Sequence, residues 1–401
     1  MGVLYKKVDF LTRCVYNIGK QSARTGGFSM IIGLPKEIKK REYRVAATPS
    51  AVAAFVKRGH TVLFEHDCGA GAGFPDEEYT AAGGVLTPRE ELYRGCDLLY
   101  KVKEIESAEF DLLHEGQIVF TYLHSNAHRD MTDLLLERGV TSVAYEDIDD
   151  DEGNFPALAP MSVLAGKGGV IAALWFSQTV RGGSGKMLSS VPGIPTPDFA
   201  IIGCGNSGLA AAELAAGCGN KVSVLDVNWK ALNRARGKLP ANVELLYSDR
   251  ENLVTCLKRC DVLINCISWD KTRRDHLVYR EDLKLMKPGA MIVDVACDDH
   301  GAIETCESTT HADPIYYVDG ILHYAVDNIP SGFAATASRT LSAATLPYAL
   351  AMADKGAEQA MLADAHLRRG LTTYKGMLTL LETAQKHSMP FTDPKDAILK
   401  A

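Results

Sequence analysis

The chain is 401 residues long, 46% hydrophobic and 23% charged, with a formal net charge of −7. That is the make-up of a globular protein with room for two ordinary domains, and an acidic balance without a basic run argues against a nucleic-acid partner or an anionic membrane surface. Ten cysteines without short regular spacing argue against a disulfide framework, and no second Cys/His cluster completes a metal site, so reduced thiols in a cytoplasmic protein are expected.

Residues 1–29 carry one acid, Asp9, and lack the apolar core and cleavage site of a signal peptide. They read as a disordered extension. From residue 30 onward short apolar runs alternate with helical stretches, which points to parallel α/β architecture. Runs at 31–34, 61–65, 97–100, 118–121 and 141–144 read as strands. Stretches 50–58, with Ser50 as N-cap, 76–82 and 127–138 read as helices. This first half, 30–160, is expected to form a domain. The apolar stretch 162–181 reads as a buried helix joining two domains, and no run reaches the apolar length of a membrane span. A loop dense in Gly and Pro follows, 181–197. Further strands are read at 243–247, 261–266, 291–296 and 315–318, within a second domain spanning 161–332. The remainder, 333–401, reads as helical at 336–353, 356–369 and 373–386.

The second domain opens on a strand, then Gly203-Cys204-Gly205-Asn206-Ser207-Gly208, then an alanine-rich helix. A lone GxGxxG is weak, but strand, loop and helix in succession are the context a dinucleotide fingerprint requires. Gly203 would make the tight turn, Gly205 would admit a pyrophosphate close to the backbone, and Gly208 would let helix and strand approach. The next strand ends on Asp226, about 20 residues beyond the loop, where an acid accepts hydrogen bonds from the adenosine ribose. A carboxylate there favours NAD, although Lys230 and Arg234 nearby leave NADP open.

In open parallel sheets ligands lie beyond the carboxyl ends of the strands. Lys103, His124 and Asp298 each follow such an end, so they are expected to meet at one cleft between the two domains. The chemistry of each type fits: lysine binds anions, histidine moves protons near neutral pH, and a carboxylate steadies a cation. A surface lysine, a hydrogen-bonded loop histidine and a turn-capping aspartate are the alternatives.

Several motifs narrow this reading. Gly33-Leu34-Pro35-Lys36-Glu37-Ile38, Glu42-Tyr43-Arg44-Val45-Ala46, Thr48-Pro49, Lys101-Val102-Lys103-Glu104, Thr121-Tyr122-Leu123-His124 and Leu158-Ala159-Pro160-Met161-Ser162 closely resemble, in order, the alanine dehydrogenases. That family includes the α-subunit of proton-translocating transhydrogenase and the saccharopine-type enzymes. The resemblance runs from residue 30 to the C-terminus. It implies two Rossmann-like domains with doubly wound parallel sheets, the substrate domain being discontinuous around a central NAD-binding domain. It further implies that Arg44 holds the substrate carboxylate, Lys103 contacts the carboxylate or carbonyl of a 2-oxo acid, His124 is the general acid/base and Asp298 lies beside the nicotinamide and ammonia. Ser162, Ser248, Ile267, Ser268, Val295 and Asn328 match positions that line NAD.

The implied activity is reversible NAD-dependent oxidative deamination of L-alanine to pyruvate and ammonium, by a homo-oligomer, typically a hexamer. Two departures stand beside it: Asp299-His300-Gly301 follows Asp298 where a Gln-Gly-Gly-like turn is expected, and Asp327 replaces an expected alanine. Both concern the amine side. They leave open an opine- or saccharopine-type reductive condensation of a 2-oxo acid with an amino-acid amine. A nucleotide-binding transhydrogenase-like module is a further alternative.

Overall fold

The computed structural model describes residues 28–269, 273–297 and 300–400. They fall into two compact units, one made of residues up to Leu158 together with those from Ala334 onward, the other of Ala159–Phe333. The extension read at 1–29 lies outside the described residues except for Phe28 and Ser29, and Asp298 lies outside them too.

The first unit starts with strands β1 (Ile31–Leu34), β2 (Thr61–Phe64), β3 (Val85–Leu86), β4 (Leu98–Tyr100), β5 (Ile118–Thr121) and β6 (Thr141–Ala144). The second unit contributes β7 (Asp198–Ile202), β8 (Lys221–Asp226), β9 (Val243–Tyr247), β10 (Val262–Asn265), β11 (Met291–Asp294), β12 (Ile315–Val318) and β13 (Ile321–Tyr324). The chain then returns to the first unit with β14 (Leu371–Tyr374) and β15 (Met377–Leu378).

In the first sheet the order is β15-β14-β6-β5-β4-β1-β2-β3, and in the second β12-β13-β11-β10-β7-β8-β9. The neighbours β6, β5, β4, β1, β2 and β3 run parallel, as do β13, β11, β10, β7, β8 and β9. Strands buried on both faces need apolar side chains throughout, and β4, β5, β6, β10, β11 and β13 are buried along their whole length. Helices supply the covering layers. Aromatic rings fill the first core, with Phe120 edge-on to Tyr145 at 4.4 Å between centroids and stacked on Tyr100 at 5.6 Å.

Several expected elements differ. Both sheets are mixed, because β12 pairs antiparallel to β13, and β14 antiparallel to β6 and β15. The stretch 373–386 is mostly not helix. Lys375 (φ 45) and Gly376 (φ 82) form a two-residue turn with both φ positive, which matches the twist of a hairpin, so β14 and β15 fold back and helix begins only at Leu381–His387. The helix read at 356–369 breaks at Asp364, whose side chain accepts from the His366 and Leu367 N–H groups and starts a new helix. Ser50 lies inside the helix Pro49–Lys57; Thr48 holds the N-cap position and Pro49 the first turn.

The apolar stretch read at 162–181 is the helix Ala159–Phe176, followed by a short 3-10 turn at Thr179–Arg181. It belongs to the second unit. By length and composition it could cross a membrane, although Ser162, Lys167 and three glycines interrupt its apolar run. Its glycines are contact points: a Cβ on Gly166 would lie 2.0 Å from the Ser207 carbonyl oxygen, and one on Gly168 would lie 2.4 Å from Ile329. It is not buried all round, since Ile171 and Trp175 are exposed.

Candidate active site

In the first unit the parallel strands β1, β4, β5 and β6 are side by side, so the segments after their carboxyl ends emerge at one sheet edge. Arg44 follows β1, Lys103 follows β4, His124 follows β5, and Glu146 follows β6. Buried contacts fix each segment. Tyr145 donates its hydroxyl to the Lys101 carbonyl at 2.6 Å, Thr121 donates to the Lys103 carbonyl at 2.7 Å, and Glu37 accepts the Val102 N–H at 2.7 Å. Below them the wholly buried Lys101 ammonium reaches Glu109 at 2.6 Å and Glu37 at 3.5 Å. A lysine with no access to water needs such partners.

Arg44 is 3% exposed. Its guanidinium is forked onto Glu42, Nε to Oε1 at 2.7 Å and a terminal nitrogen to Oε2 at 2.6 Å, and its backbone N–H also bonds Oε1. Burial works against the charge, but the Glu42 carboxylate more than offsets it and holds the proton on Arg44 more firmly than usual. The fork fixes the plane of the guanidinium.

Lys103, Glu104, His124 and Glu146 form one cluster. Lys103 Nζ lies 3.4 Å from His124 Nε2 and 3.6 Å from Glu104 Oε2. His124 takes a left-handed backbone conformation, φ 49, and donates its N–H to Glu146 Oε1 at 2.6 Å, with its ring stacked on Tyr122. An ammonium facing Nε2 requires that nitrogen to act as acceptor, which puts the imidazole proton on Nδ1, on the side of Glu146 Oε1 at 3.7 Å. Burial of the inner face of the ring and the Lys103 ammonium both push His124 below the ordinary imidazole range, against the pull of Glu104. The ring is therefore neutral. Burial, reinforced by Asp147, pushes the Glu146 carboxyl up to about 8 despite two backbone N–H groups bonded to it. Burial would also raise Glu104, but Lys103 and Lys39 overcome it and bring that carboxyl to about 2.

In the second unit the order reverses at β7, between β8 and β10, and ligands of open α/β sheets occupy that crevice. The glycine loop follows β7 there. Gly203 has φ +102, and a Cβ on it would lie 2.7 Å from Ile267; a Cβ on Gly208 would lie 1.9 Å from the Gly203 carbonyl oxygen. At Gly205, the N-cap of the helix Asn206–Gly217, nothing lies within 4 Å of an added Cβ. Turn, contact and open approach thus fall on the three glycines in the roles a pyrophosphate cradle needs. Asp226 ends β8, and its carboxylate also braces the loop, accepting the Cys204 N–H at 2.6 Å and the Asn228 N–H at 2.7 Å. A ribose would use the remaining lone pairs.

The other expected lining residues distribute along the same edge. Ser248 follows β9 and donates its N–H to the Asp226 carbonyl; Ile267 and Ser268 follow β10; Val295 follows β11 and donates to Asn265 at 2.9 Å. Asn328 follows β13 with φ 72, and Ser162 lies on the helix Ala159–Phe176. The buried Asp294 carboxylate accepts the Ala296 and Cys297 N–H groups, both at 3.1 Å, and the Asn265 amide at 2.9 Å, which fixes the turn after β11.

Sequence reasoning passed over Glu42, Glu104 and Glu146 as functional groups. Glu42 and Glu104 lie in the same family-like motifs as Arg44 and Lys103, a usable signal. Glu146 carried none.

Residues 33–165 match the model of the alanine dehydrogenase/PNT N-terminal domain, and residues 169–380 that of the C-terminal domain. The chain belongs to the alanine dehydrogenase/PNT family. Among family members, the alanine dehydrogenase of Methanococcus maripaludis is 40% identical over 371 residues, 92% of this chain and 100% of the relative. That of Mycolicibacterium smegmatis is 37% identical over 91% of this chain and 98% of its own. A solved L-alanine dehydrogenase superposes with a TM-score of 0.85 at 37% identity, covering 90% of this chain and 99% of that one. A transhydrogenase from Sinorhizobium meliloti, 22% identical with a TM-score of 0.74, shares the fold.

Proposed function

We propose that the protein catalyses the reversible NAD-dependent oxidative deamination of L-alanine to pyruvate and ammonium. The observation that carries this reading is the cluster of Lys103 and His124 at the sheet edge that also holds the forked Arg44, in a chain similar over 92% of its length to an alanine dehydrogenase. NAD fits the glycine loop by its open Gly205 approach and by Asp226. When bound, it supplies the hydride acceptor.

Arg44, with its plane set by Glu42, takes the substrate carboxylate through a second fork. Lys103 turns from His124 to the oxygen of the 2-oxo acid and polarises it. That releases His124 Nε2, which takes the proton from the water that attacks the iminium carbon and returns it in the reverse direction. Asp298 steadies the cationic amine. Ser162, Ser248, Ile267, Ser268, Val295 and Asn328 complete the NAD lining.

In the same reading the enzyme works as a cytoplasmic homo-oligomer. Exposed apolar side chains at Ile171, Trp175, Val180 and Ile194 support self-association, and reduced cysteines support the compartment. The similarity to alanine dehydrogenases favours ammonium as the amine donor; Asp327 is exposed, its N–H bonded to the Thr309 carbonyl. NADH oxidation with pyruvate tests this. Turnover is expected with ammonium, whereas turnover only with lysine or ornithine would replace the reading by the condensation.

A further inference from the structure

We propose that Glu37 is a positioning residue that sets the separation of Arg44 and Lys103, so that one 2-oxo acid meets both. This rests on the alanine-oxidising reading, in which Arg44 takes the substrate carboxylate and Lys103 the neighbouring oxygen.

Arg44 and Lys103 belong to different segments, one following β1 and the other following β4. The segment after β4 is fixed to β5 and to the turn after β6. The Lys101 N–H bonds the Phe120 carbonyl at 3.1 Å, the Tyr122 N–H bonds the Val102 carbonyl at 3.2 Å, and the Tyr145 and Thr121 hydroxyls bond the Lys101 and Lys103 carbonyls. These bonds set its place against His124 and Glu146, but not against Arg44. Glu37 supplies that link. It lies in the segment of Arg44, and its Oε1 accepts the N–H of Val102, the residue before Lys103, at 2.7 Å. Val102 is wholly buried, so without Glu37 its N–H has no water to turn to, and a buried donor left unsatisfied shifts the backbone toward another acceptor.

The carboxylate is itself held. Its Oε2 accepts no hydrogen bond and faces Lys101 Nζ at 3.5 Å, where the Glu37 side chain is 4% exposed and that of Lys101 is closed to water. Lys101 is anchored in turn on Glu109 at 2.6 Å, which also takes the Tyr93 hydroxyl and the Glu106 N–H. Lys39 makes a second tie from the segment of Arg44, to Glu104, but its side chain is 31% exposed, and a solvated lysine on a flexible stem sets a distance loosely. The guanidinium plane of Arg44 is fixed by Glu42, so Arg44 does not follow a displaced Lys103. A shift after β4 is then felt at one end of the substrate only.

Two unreactive acids separate those ends. Propionate offers a carboxylate alone, whereas oxamate offers a carboxylate and a carbonyl placed as in pyruvate. The test is calorimetric titration of each acid into the NADH-loaded full chain, for wild type, Glu37→Ala, Glu37→Asp and Glu37→Gln. Aspartate keeps a negative charge beside Lys101 but is one methylene too short for Val102, and it carries the test should the alanine variant not fold. Glutamine loses the charge but keeps an oxygen within reach of the Val102 N–H. The Ala and Asp variants should bind oxamate about tenfold more weakly and propionate within about twofold of wild type, while Gln should hold oxamate within about threefold. A merely structural loss would weaken both acids together. Equal weakening of both acids, unchanged oxamate binding in the Asp variant, or a Gln variant as impaired as Asp overturns the proposal. Wild type forming no NADH from alanine would instead refute the underlying reading.

Discussion

Glu42 governs how Arg44 can act. A guanidinium that is 3% exposed and forked onto a carboxylate presents its remaining N–H groups in one plane. Glu42→Gln removes the charge and one acceptor, leaving Arg44 loosely aimed and its burial uncompensated. The KM for pyruvate should rise about tenfold, equivalent to ~1.4 kcal/mol of lost binding, with a smaller change in kcat. An unchanged KM would show that Arg44 does not hold the carboxylate. Glu146 makes a different prediction. Its carboxyl sits at about 8, above the unfolded value of 4.5. The stability this lends is complete below about pH 4.5 and is lost as pH rises toward 8, because the unfolded chain ionises there more readily. Glu146→Gln has no such dependence, so its melting temperature should gain on wild type between about pH 5 and about pH 8. Parallel melting curves across that range would contradict the assignment. Much of this layer was legible in part only. Lys103 and His124 stand out by type and by position after strands and Arg44 by the family-like motif it sits in, whereas Glu146 and Glu109 become partners of distant residues only once the strands are aligned.

The glycine loop separates a structural demand from a ligand demand within six residues. A Cβ at Gly208 would lie 1.9 Å from backbone, but one at Gly205 meets nothing. Gly208→Ala should therefore cost stability, on the order of 2–4 kcal/mol, seen as a lowered melting temperature. Gly205→Ala should keep the wild-type stability within about 0.5 kcal/mol and weaken NADH binding at least tenfold, as measured by titration. Equal NADH affinity for Gly205→Ala and wild type would remove the pyrophosphate from this loop. At this scale the parallel strands were readable, since runs such as 31–34, 118–121 and 243–247 are short, largely apolar and bounded by turns. The hairpins were not. Asp319 (φ 48) with Gly320 (φ 82), and Lys375 with Gly376, are two-residue turns whose partner strands are only four and two residues long. The first is an Asp-Gly pair, a hairpin signal that was present and unused. The second hides in a stretch where Leu and Thr recur at helical spacing.

For the molecule as a whole, the family match covers both units, and in the proposed reading each carries one part of the chemistry: acid/base and carboxylate groups after β1, β4 and β5, and the dinucleotide loop after β7. The order of motifs along the chain made the fold class legible, while the amine donor was not, because Asp299-His300-Gly301 and Asp327 depart from the family pattern on the amine side. The central claim is that this chain oxidises L-alanine with His124 as the base. The most direct measurement is the initial rate of NADH formation from NAD and L-alanine by the full chain, compared with His124→Ala at matched NADH binding. Wild type should turn over, and the variant should bind NADH normally while losing at least about a hundredfold in kcat. A variant with near-wild-type kcat, or a wild type inactive on alanine, would contradict the account.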